Sequence, residues 1–329
     1  MSTLGISIII PNYNGQHLLP LILPAAFIAL QKTKLAYEVI VSDDCSTDNS
    51  IAFLQHNFTT VKIIESPINK GFSPTANAGV FAAKFKYILL LNSDVKLTED
   101  YFLPLLRYFD KPDTFGVMGK IIGWDDDLQQ DGAKYPSFHG VKIKTTGNYI
   151  LTNPNQNDWV YSMYLSGANA LIDKNKLIEL GGFNELYAPF YVEDYDLSLR
   201  AWRHGYKCYY EHFALCRHQV STSIKIKTKK NAINTIYYRN KLYLHFIHLS
   251  GINLWLWFLQ LVPEVLFSLI TGKFYFFTSL SMFFSTIDKA KKAKLQLYNS
   301  AKKKQPLLSV KEVANTILSS LKNKKTHRF

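Results

Sequence analysis

An open α/β sheet, mostly parallel and with helices on both faces, is the fold class the sequence predicts. Three observations carry it. Short β-rich apolar runs alternate with helical stretches from the first residues onward. One run, Ile88-Leu89-Leu90-Leu91, is apolar without alternation, which suits a strand covered on both faces. The 329 residues are 47% apolar and 19% charged, enough to bury a core in one large domain or two modest ones, and too apolar for a disordered chain.

Taken in order, a strand is expected over 6–11, a helix over 17–30 and a strand over 37–42. A helix over 47–54, a strand over 61–65, a helix over 74–84 and a strand over 87–91 continue the alternation. Residues 115–165 mix Gly, Asp, Tyr and Lys without a long helical period, and read as strands and loops lying across one edge of the sheet. A helix over 191–204 and a strand over 206–210 follow. From about residue 231 the composition shifts to Leu, Phe, Trp and Tyr in helical runs, and the Lys-rich tail after Asp288 begins as a helix. No repeat of fixed period is visible. Cys45, Cys208 and Cys216 cannot close a disulfide framework, which points to a reducing compartment. The start has neither a basic region nor a cleavage site, so no signal peptide is expected.

The formal charge of +13 is unevenly placed. Residues 1–219 hold 19 Lys+Arg and 22 Asp+Glu, a net of −3; residues 220–329 hold 19 Lys+Arg against Glu264, Asp288 and Glu312, a net of +16. The basic third suits either a nucleic acid or an anionic membrane surface.

In an open α/β sheet, ligands bind beyond the carboxyl ends of the strands. Those ends carry Pro11 to Gly15, then Ser42 to Asp48, then Asn69 to Ser73 ahead of a helix, and Asn92-Ser93-Asp94. Each loop alone reads as turn and N-cap chemistry; four such loops on one edge read as a site. There is no G-x-G-x-x-G after the first strand and no P-loop, which disfavours hydride transfer and P-loop phosphoryl transfer. An acidic edge would repel a polyphosphate unless a divalent cation stood between them, and Asp94 is the natural oxygen ligand for Mg²⁺ or Mn²⁺. The alternative for Asp94 is an N-cap for a helix over 96–107. Glu193, Asp194 and Asp196 fall in the first turn of the expected helix over 191–204, either as dipole partners or as a general base at a helix start. His204, Cys208, His212 and Cys216 recur every four residues, but a strand over 206–210 would scatter them, so zinc is not expected. Asp125 to Asp127 reads as a solvated loop, and Trp124, Trp159 and Trp202 as core or cleft walls.

These stretches carry a resemblance. PNYNG at 11–15, VSDDCSTDNS at 41–50, NKGFSPTANAGV at 69–80, LLLNSDV at 89–95, SGANALI at 166–172 and GGFNELYAPFYVEDYDLSLRAWRHGY at 181–206 resemble, in order, the family 2 inverting glycosyltransferases of the Rossmann-like GT-A fold. Rhamnosyltransferase-like bacterial members are the most similar. The resemblance covers about residues 5–220 and implies a nucleoside-diphosphate sugar donor, a divalent cation and inversion at the anomeric carbon. It implies nucleoside contacts from Pro11, Tyr13, Asp43 and Asp44, and donor contacts from Asn69, Gly71 and Asn77. Asn92-Ser93-Asp94 stands where the family has D-x-D, so Asp94 would bind the metal with Asn92 in place of the first acid. Asp194 would be the catalytic base and Glu193 would orient it or the acceptor. Gly167, with Ser166 and Ala168, would line the cleft, and His218 would reach the metal or the diphosphate.

Between Lys241 and Lys289 lie two apolar, aromatic-rich segments bracketed by lysines. The segment 249–270 carries Gln260 and Glu264 and has Pro263 as a breaker; it is nearly long enough to span a bilayer but lacks a clean 20-residue apolar core. The segment 274–287 is too short. Both fit helices in a membrane interface. Packing as core, or a homo-oligomer interface, is the other way to cover them. A nucleic-acid arm would be basic and polar, so no nucleic acid is expected.

The expected organisation is therefore a catalytic domain over 1–220 and a membrane-association region over 221–329. The expected function is sugar transfer, with dTDP-rhamnose as first donor, to a hydroxyl of a cell-surface polysaccharide or lipid-linked glycan at the cytoplasmic face of a bacterial inner membrane. The alternatives are a UDP-hexose or UDP-N-acetylhexosamine transferase, or a non-catalytic membrane glycan-assembly subunit, to which Asn92 lends weight.

Overall fold

The computed structural model describes residues 3–219, 230–301 and 306–329. Strand–helix alternation opens the chain: β1 (Thr3–Asn12), α1 (Leu19–Lys32), β2 (Tyr37–Asp43), α2 (Ser50–Asn57), β3 (Lys62–Glu65), α3 (Phe72–Ala82) and β4 (Phe85–Leu91). Next come β5 (Val95–Leu97), α4 (Leu103–Leu106), β6 (Thr114–Gly123), β7 (Ala133–His139), β8 (Lys142–Leu151) and β9 (Val160–Tyr161). β10 (Asn169–Asp173), α5 (Lys174–Glu179), α6 (Glu193–Arg203) and β11 (Lys207–His218) complete the first two thirds. The last third is helical: α7 (Lys230–His248), α8 (Gly251–Ile270), α9 (Tyr275–Ser285), α10 (Ile287–Asn299) and α11 (Val310–Ser319), then a short β12 (Thr326–Arg328).

The main sheet runs β3-β2-β1-β4-β10-β6-β11-β5, with β9 on β11. Its first four strands are mutually parallel, and β10 enters antiparallel between β4 and β6. Two expectations are corrected here. Residues 115–165 do not simply lie across an edge, because β6 is an interior strand paired with both β10 and β11. Only the β7–β8 hairpin leaves, to form a separate antiparallel sheet with β12. The strand expected over 206–210 runs on to His218, held by its ladder with β6.

Alternation along β1 sorts the core into two layers. Ile6, Ile8 and Ile10 pack with α1 on one face; Ile9 faces the other with Ile40, Ile88 and Leu90. That second layer does not stop at residue 220. It continues through Leu199 and Trp202 of α6 into Tyr243 and Phe246 of α7, Trp257 of α8, Phe283 of α9 and Ile317 of α11. The expected boundary between 220 and 221 itself lies outside the described residues.

Among the described residues α8 is the one helix long and apolar enough to cross a membrane, and only 17% of its apolar window is buried. Pro263 does not break it: the helix is continuous from Gly251 to Ile270, although proline removes one backbone hydrogen bond there. Register then sets the site. Asn12 aligns with Asp43, Ile9 with Leu90, and Asn169 with Leu91, so the loops after β1, β2 and β4 and the loop before β10 open at one sheet edge.

Candidate active site

That edge holds a cleft of about 600 Å³ walled by Pro11, Tyr13, Asp44, Asn69, Gly71 and Asn92 on one side and by Gly167, Tyr191, Glu193 and Asp194 on the other. Two neighbouring aspartates serve it differently. Asp43 is buried, and its carboxylate accepts from Asn12 Nδ2 at 2.8 Å, Ser46 N at 2.7 Å and Ser46 Oγ at 2.6 Å. It braces β1 against β2 and does not line the cleft. Asp44 does line it, while its oxygens accept from Lys70 N at 2.7 Å and Gly71 N at 2.8 Å, and its carbonyl from Asn69 Nδ2 at 3.2 Å. Asp44 thus folds the 69–71 loop back over the site. Gly71 is required there: its φ is +86°, and a Cβ would lie 2.5 Å from the Pro189 backbone.

Asn77, expected to contact the donor, sits elsewhere. Its amide accepts from Phe183 N at 2.8 Å and donates to Phe183 O at 2.9 Å and Glu185 Oε1 at 3.1 Å, which clamps α3 to the 182–185 segment outside the cleft.

No helix begins at Asp94, which removes the N-cap alternative; β5 follows it directly. Antiparallel pairing of β5 with β11 sets His218 opposite Val95, and His218 Nε2 lies 3.6 Å from Asp94 Oδ2. Gln130 Oε1, 2.7 Å from Nδ1, orients the ring. Asp94 Oδ1 is buried without a hydrogen-bond partner among the described residues. An orphaned carboxylate oxygen costs about 1–3 kcal/mol or more if nothing binds it. Asp94 and His218 flank the cleft rather than wall it, and Ser93 lies beside Gly15.

The opposite wall is the start of α6. Tyr191 and Val192, neither of them glycine, both have φ of +76° immediately before Glu193. Two successive left-handed residues, one β-branched, cost on the order of 1–3 kcal/mol each and persist only where the surroundings hold them. The holder comes from the last third. Asn240 of α7 is fully buried and donates to Tyr187 O at 2.7 Å, Phe190 O at 3.0 Å and Tyr191 O at 2.8 Å. Arg239 beside it donates to Ala188 O.

Held this way, Glu193 is buried with Oε2 lacking a partner among the described residues, while Asp194 is half-buried and accepts from Tyr195 N at 2.7 Å. Burial pushes both carboxyls above the ordinary range, Glu193 further because the Asp194 charge adds to it. The helix dipole, worth about 0.3–1 kcal/mol, pulls the other way and is outweighed. The Gly167 backbone also hydrogen-bonds Asp194, and Phe72 lies close enough to leave little room for a side chain at 167.

Asp196, the third acid of the triplet, points into the core. Burial alone would raise it, but Arg200 Nε at 2.8 Å and His248 Nε2 at 3.0 Å bring it down to about 2. It ties α6 to α7 and takes no part in the cleft. Sequence reasoning missed Asn240, Arg239 and His248 altogether; the Asp196–Arg200 pair was legible as an i,i+4 spacing. The four-residue His/Cys recurrence scatters as expected, and among the described residues no cluster of three metal-ligating side chains forms.

Residues 7–181, more than half of the 329-residue chain, match the model of Glycosyl transferase family 2. Over 231 residues the chain is 26% identical to a chondroitin synthase of Escherichia coli, covering 63% of this chain and 33% of that protein. It spans a third or less of the length of the first curated relatives it matches. Among solved structures, GalNAc-T7 with UDP, GalNAc and Mn²⁺ superposes with a TM-score of 0.57 at 14% identity, covering 74% of this chain and 48% of that one. The mannosyltransferase PcManGT from Pyrobaculum calidifontis, in complex with GDP-Man and Mn²⁺, gives 0.52 at 14% identity over 97% of this chain and 85% of that one. At such identity the likeness is one of fold, and the fold is GT-A.

Proposed function

The chain belongs to glycosyl transferase family 2, and on that premise we propose that it moves a sugar, with inversion, from a nucleoside diphosphate to a hydroxyl of a polysaccharide or lipid-linked glycan. One observation carries the reading: Glu193 and Asp194 wall the same cleft as the strand-end residues Pro11, Asp44 and Asn92, and the Asp94–His218 pair lies just beyond Asn92.

Two neighbouring carboxyls whose protons are held unequally divide the work. Glu193, raised further, holds its proton more tightly. Asp194 is the one ionised near neutrality and takes the proton from the acceptor hydroxyl as that oxygen attacks the anomeric carbon. The bond to the diphosphate breaks on the opposite face, and the nucleoside diphosphate leaves with the electron pair. Pro11, Tyr13, Asp44 and Asn69 would hold the nucleoside side, with Asn92 at the diphosphate and Ser93, beside Gly15, next to it.

Asp94 and His218 fit a Mg²⁺ or Mn²⁺ ion: the donor set is oxygen and imidazole, and Asp94 Oδ1 lacks any partner among the described residues. Bound there, the cation would offset the charge of the departing diphosphate. With one carboxylate in the N-S-D stretch instead of two, the diphosphate itself would complete the coordination.

Residues 1–220 then carry the chemistry and 221–329 the attachment, with α7 serving both. The exposed apolar face of α8 and the +16 of the last third favour an anionic membrane surface, which for a bacterial chain is the cytoplasmic face of the inner membrane. dTDP-rhamnose heads the donor series and UDP-hexoses follow. Purified full chain is incubated with Mn²⁺ and each donor, and released nucleoside diphosphate is read. Turnover that Asp94→Ala makes insensitive to Mn²⁺ supports the reading. Nucleotide binding without turnover on any donor would sink it in favour of a non-catalytic assembly subunit.

A further inference from the structure

A second cavity, about 880 Å³, lies between the β7–β8 hairpin and helices α7, α8 and α9. Its walls join two kinds of chemistry. Trp257, Tyr237, Tyr238 and Phe276 make it aromatic, and Lys142, Lys144, Lys241 and Lys273 make it basic. Glu264 pairs with Lys142. The other three lysines are half-buried, and none is ion-paired with a described residue, so the lining keeps a net charge of +3 (four lysines less one glutamate). Trp257 is fully buried, and its indole N–H has no hydrogen-bond partner among the described residues. A donor without a partner and lysines without a described counter-ion, lining one cavity, suit an anion.

The wall formed by α8 explains how such an anion would arrive. Trp257, Gln260, Glu264 and Ser268 line the cavity along one side of that helix. Ile252, Trp255, Leu259 and Ile270 lie exposed, at 70%, 71%, 65% and 84%. The outward side is therefore apolar, whereas the cavity side sets the polar groups of Gln260, Glu264 and Ser268 among Trp257, Pro263 and Phe267. A molecule with a long apolar chain and a charged head could leave its chain along the exposed side and place its head among the lysines. The cavity also adjoins the catalytic cleft. Tyr237 lines the cavity, Tyr191 lines the cleft, and their rings meet edge-on at 6.1 Å. Lys241 Nζ sits 5.2 Å over the Tyr237 ring, at that junction.

We propose that this cavity binds the phosphate or diphosphate head of a lipid-borne acceptor and thereby aims the attached hydroxyl at Asp194. This deepens the transferase reading and rests on it for the word acceptor; the binding site itself does not. A free phosphate shares the head-group chemistry but would leave the aromatic walls and the outward apolar side of α8 without a purpose.

The test uses the full chain and three kinds of vesicle: phosphatidylcholine alone, phosphatidylcholine with phosphatidylglycerol, and phosphatidylcholine with a polyprenyl phosphate. Co-sedimentation is expected to favour the polyprenyl phosphate over phosphatidylglycerol at equal charge. Lys144→Gln and Lys241→Gln should each weaken the polyprenyl phosphate preference about five-fold, as a lysine near an anionic surface does. Trp257→Phe, which keeps the ring and removes the N–H, should weaken it several-fold while leaving phosphatidylcholine binding as it was. Lys273→Gln serves if another variant does not fold, which the melting curve reports. Equal loss on both anionic vesicles would mean a diffuse surface charge and overturn the proposal. Full competition by inorganic phosphate or diphosphate would assign the cavity to a free anion, and overturn it equally. Donor turnover, read separately on the wild-type chain, keeps the two readings apart: selective vesicle binding without turnover on any donor leaves the cavity standing and removes the transferase.

Discussion

Helices α1 and α8 are both apolar, and the molecule treats them in opposite ways. α1 buries Leu19, Ile22, Leu23, Ala26, Ala29 and Leu30 against the sheet. α8, six residues longer, buries Trp257, Leu261 and Ser268 and turns most of its apolar side chains outward. At about 1.5–3 kcal/mol for each large apolar side chain taken from water, α1 is a foundation of the fold, while α8 leaves most of that area uncovered. What separates the acidic two thirds from the basic third is therefore where the apolar stripe points, more than how apolar the helices are.

Substitutions in each region should keep that division or blur it. The largest effect is expected at Asp194 in the catalytic part: Asp194→Asn should lower kcat about 10²–10⁴-fold with nucleotide affinity nearly intact. Equal loss of both would make Asp194 structural. Next, Leu23→Ala in α1 should cost about 2–5 kcal/mol in urea unfolding. Leu259→Ala in α8 should cost less than about 0.5 kcal/mol in water and show its effect in vesicle partitioning instead. If both destabilise alike, the contrast between the helices is false.

The third prediction crosses the divide. Asn240→Ala removes three hydrogen bonds to the 187–191 loop and should cost about 1–3 kcal/mol. Turnover should also fall while nucleotide affinity changes little, because the turn that presents Glu193 and Asp194 relaxes. The smallest concerns pH. Burial raises Glu193 and Asp194, so the native state holds more protons than the unfolded chain. Their contribution to stability is full below the ordinary carboxylate range and is lost as pH rises through their raised values. Melting curves from acid to mildly alkaline pH should show this decline, and Glu193→Gln should flatten it; an unchanged slope would remove Glu193 as its source. Activity runs the other way, falling in acid as Asp194 gains its proton.

Much of this was legible in the sequence because it is local. Strand periodicity and turn residues located β1 to β4 and their loops, and an acidic helix start located α6. What escaped reading depends on distant partners. Nothing near Asn77 announces that its amide is spent on Phe183, 106 residues away. Nothing in 115–165 says that β6 slips between β10 and β11, because that pairing is decided by strands still to come. The charge map drew a line near residue 220, and the hydrophobic layer ignores it.

The three hydrogen bonds of Asn240 bear on how this chain can be dissected. Charge and composition invite a cut near residue 220 to obtain a tidy soluble fragment. Such a fragment would keep the loops after β1, β2 and β4, Asp94, His218 and both acids of the cleft. It would lose the side chain that keeps Tyr191 and Val192 in their left-handed turn. A cut near 220 would also strip the α7–α11 part of the second core layer, so a fragment that failed to transfer would report on its own dissection and say nothing about the donor.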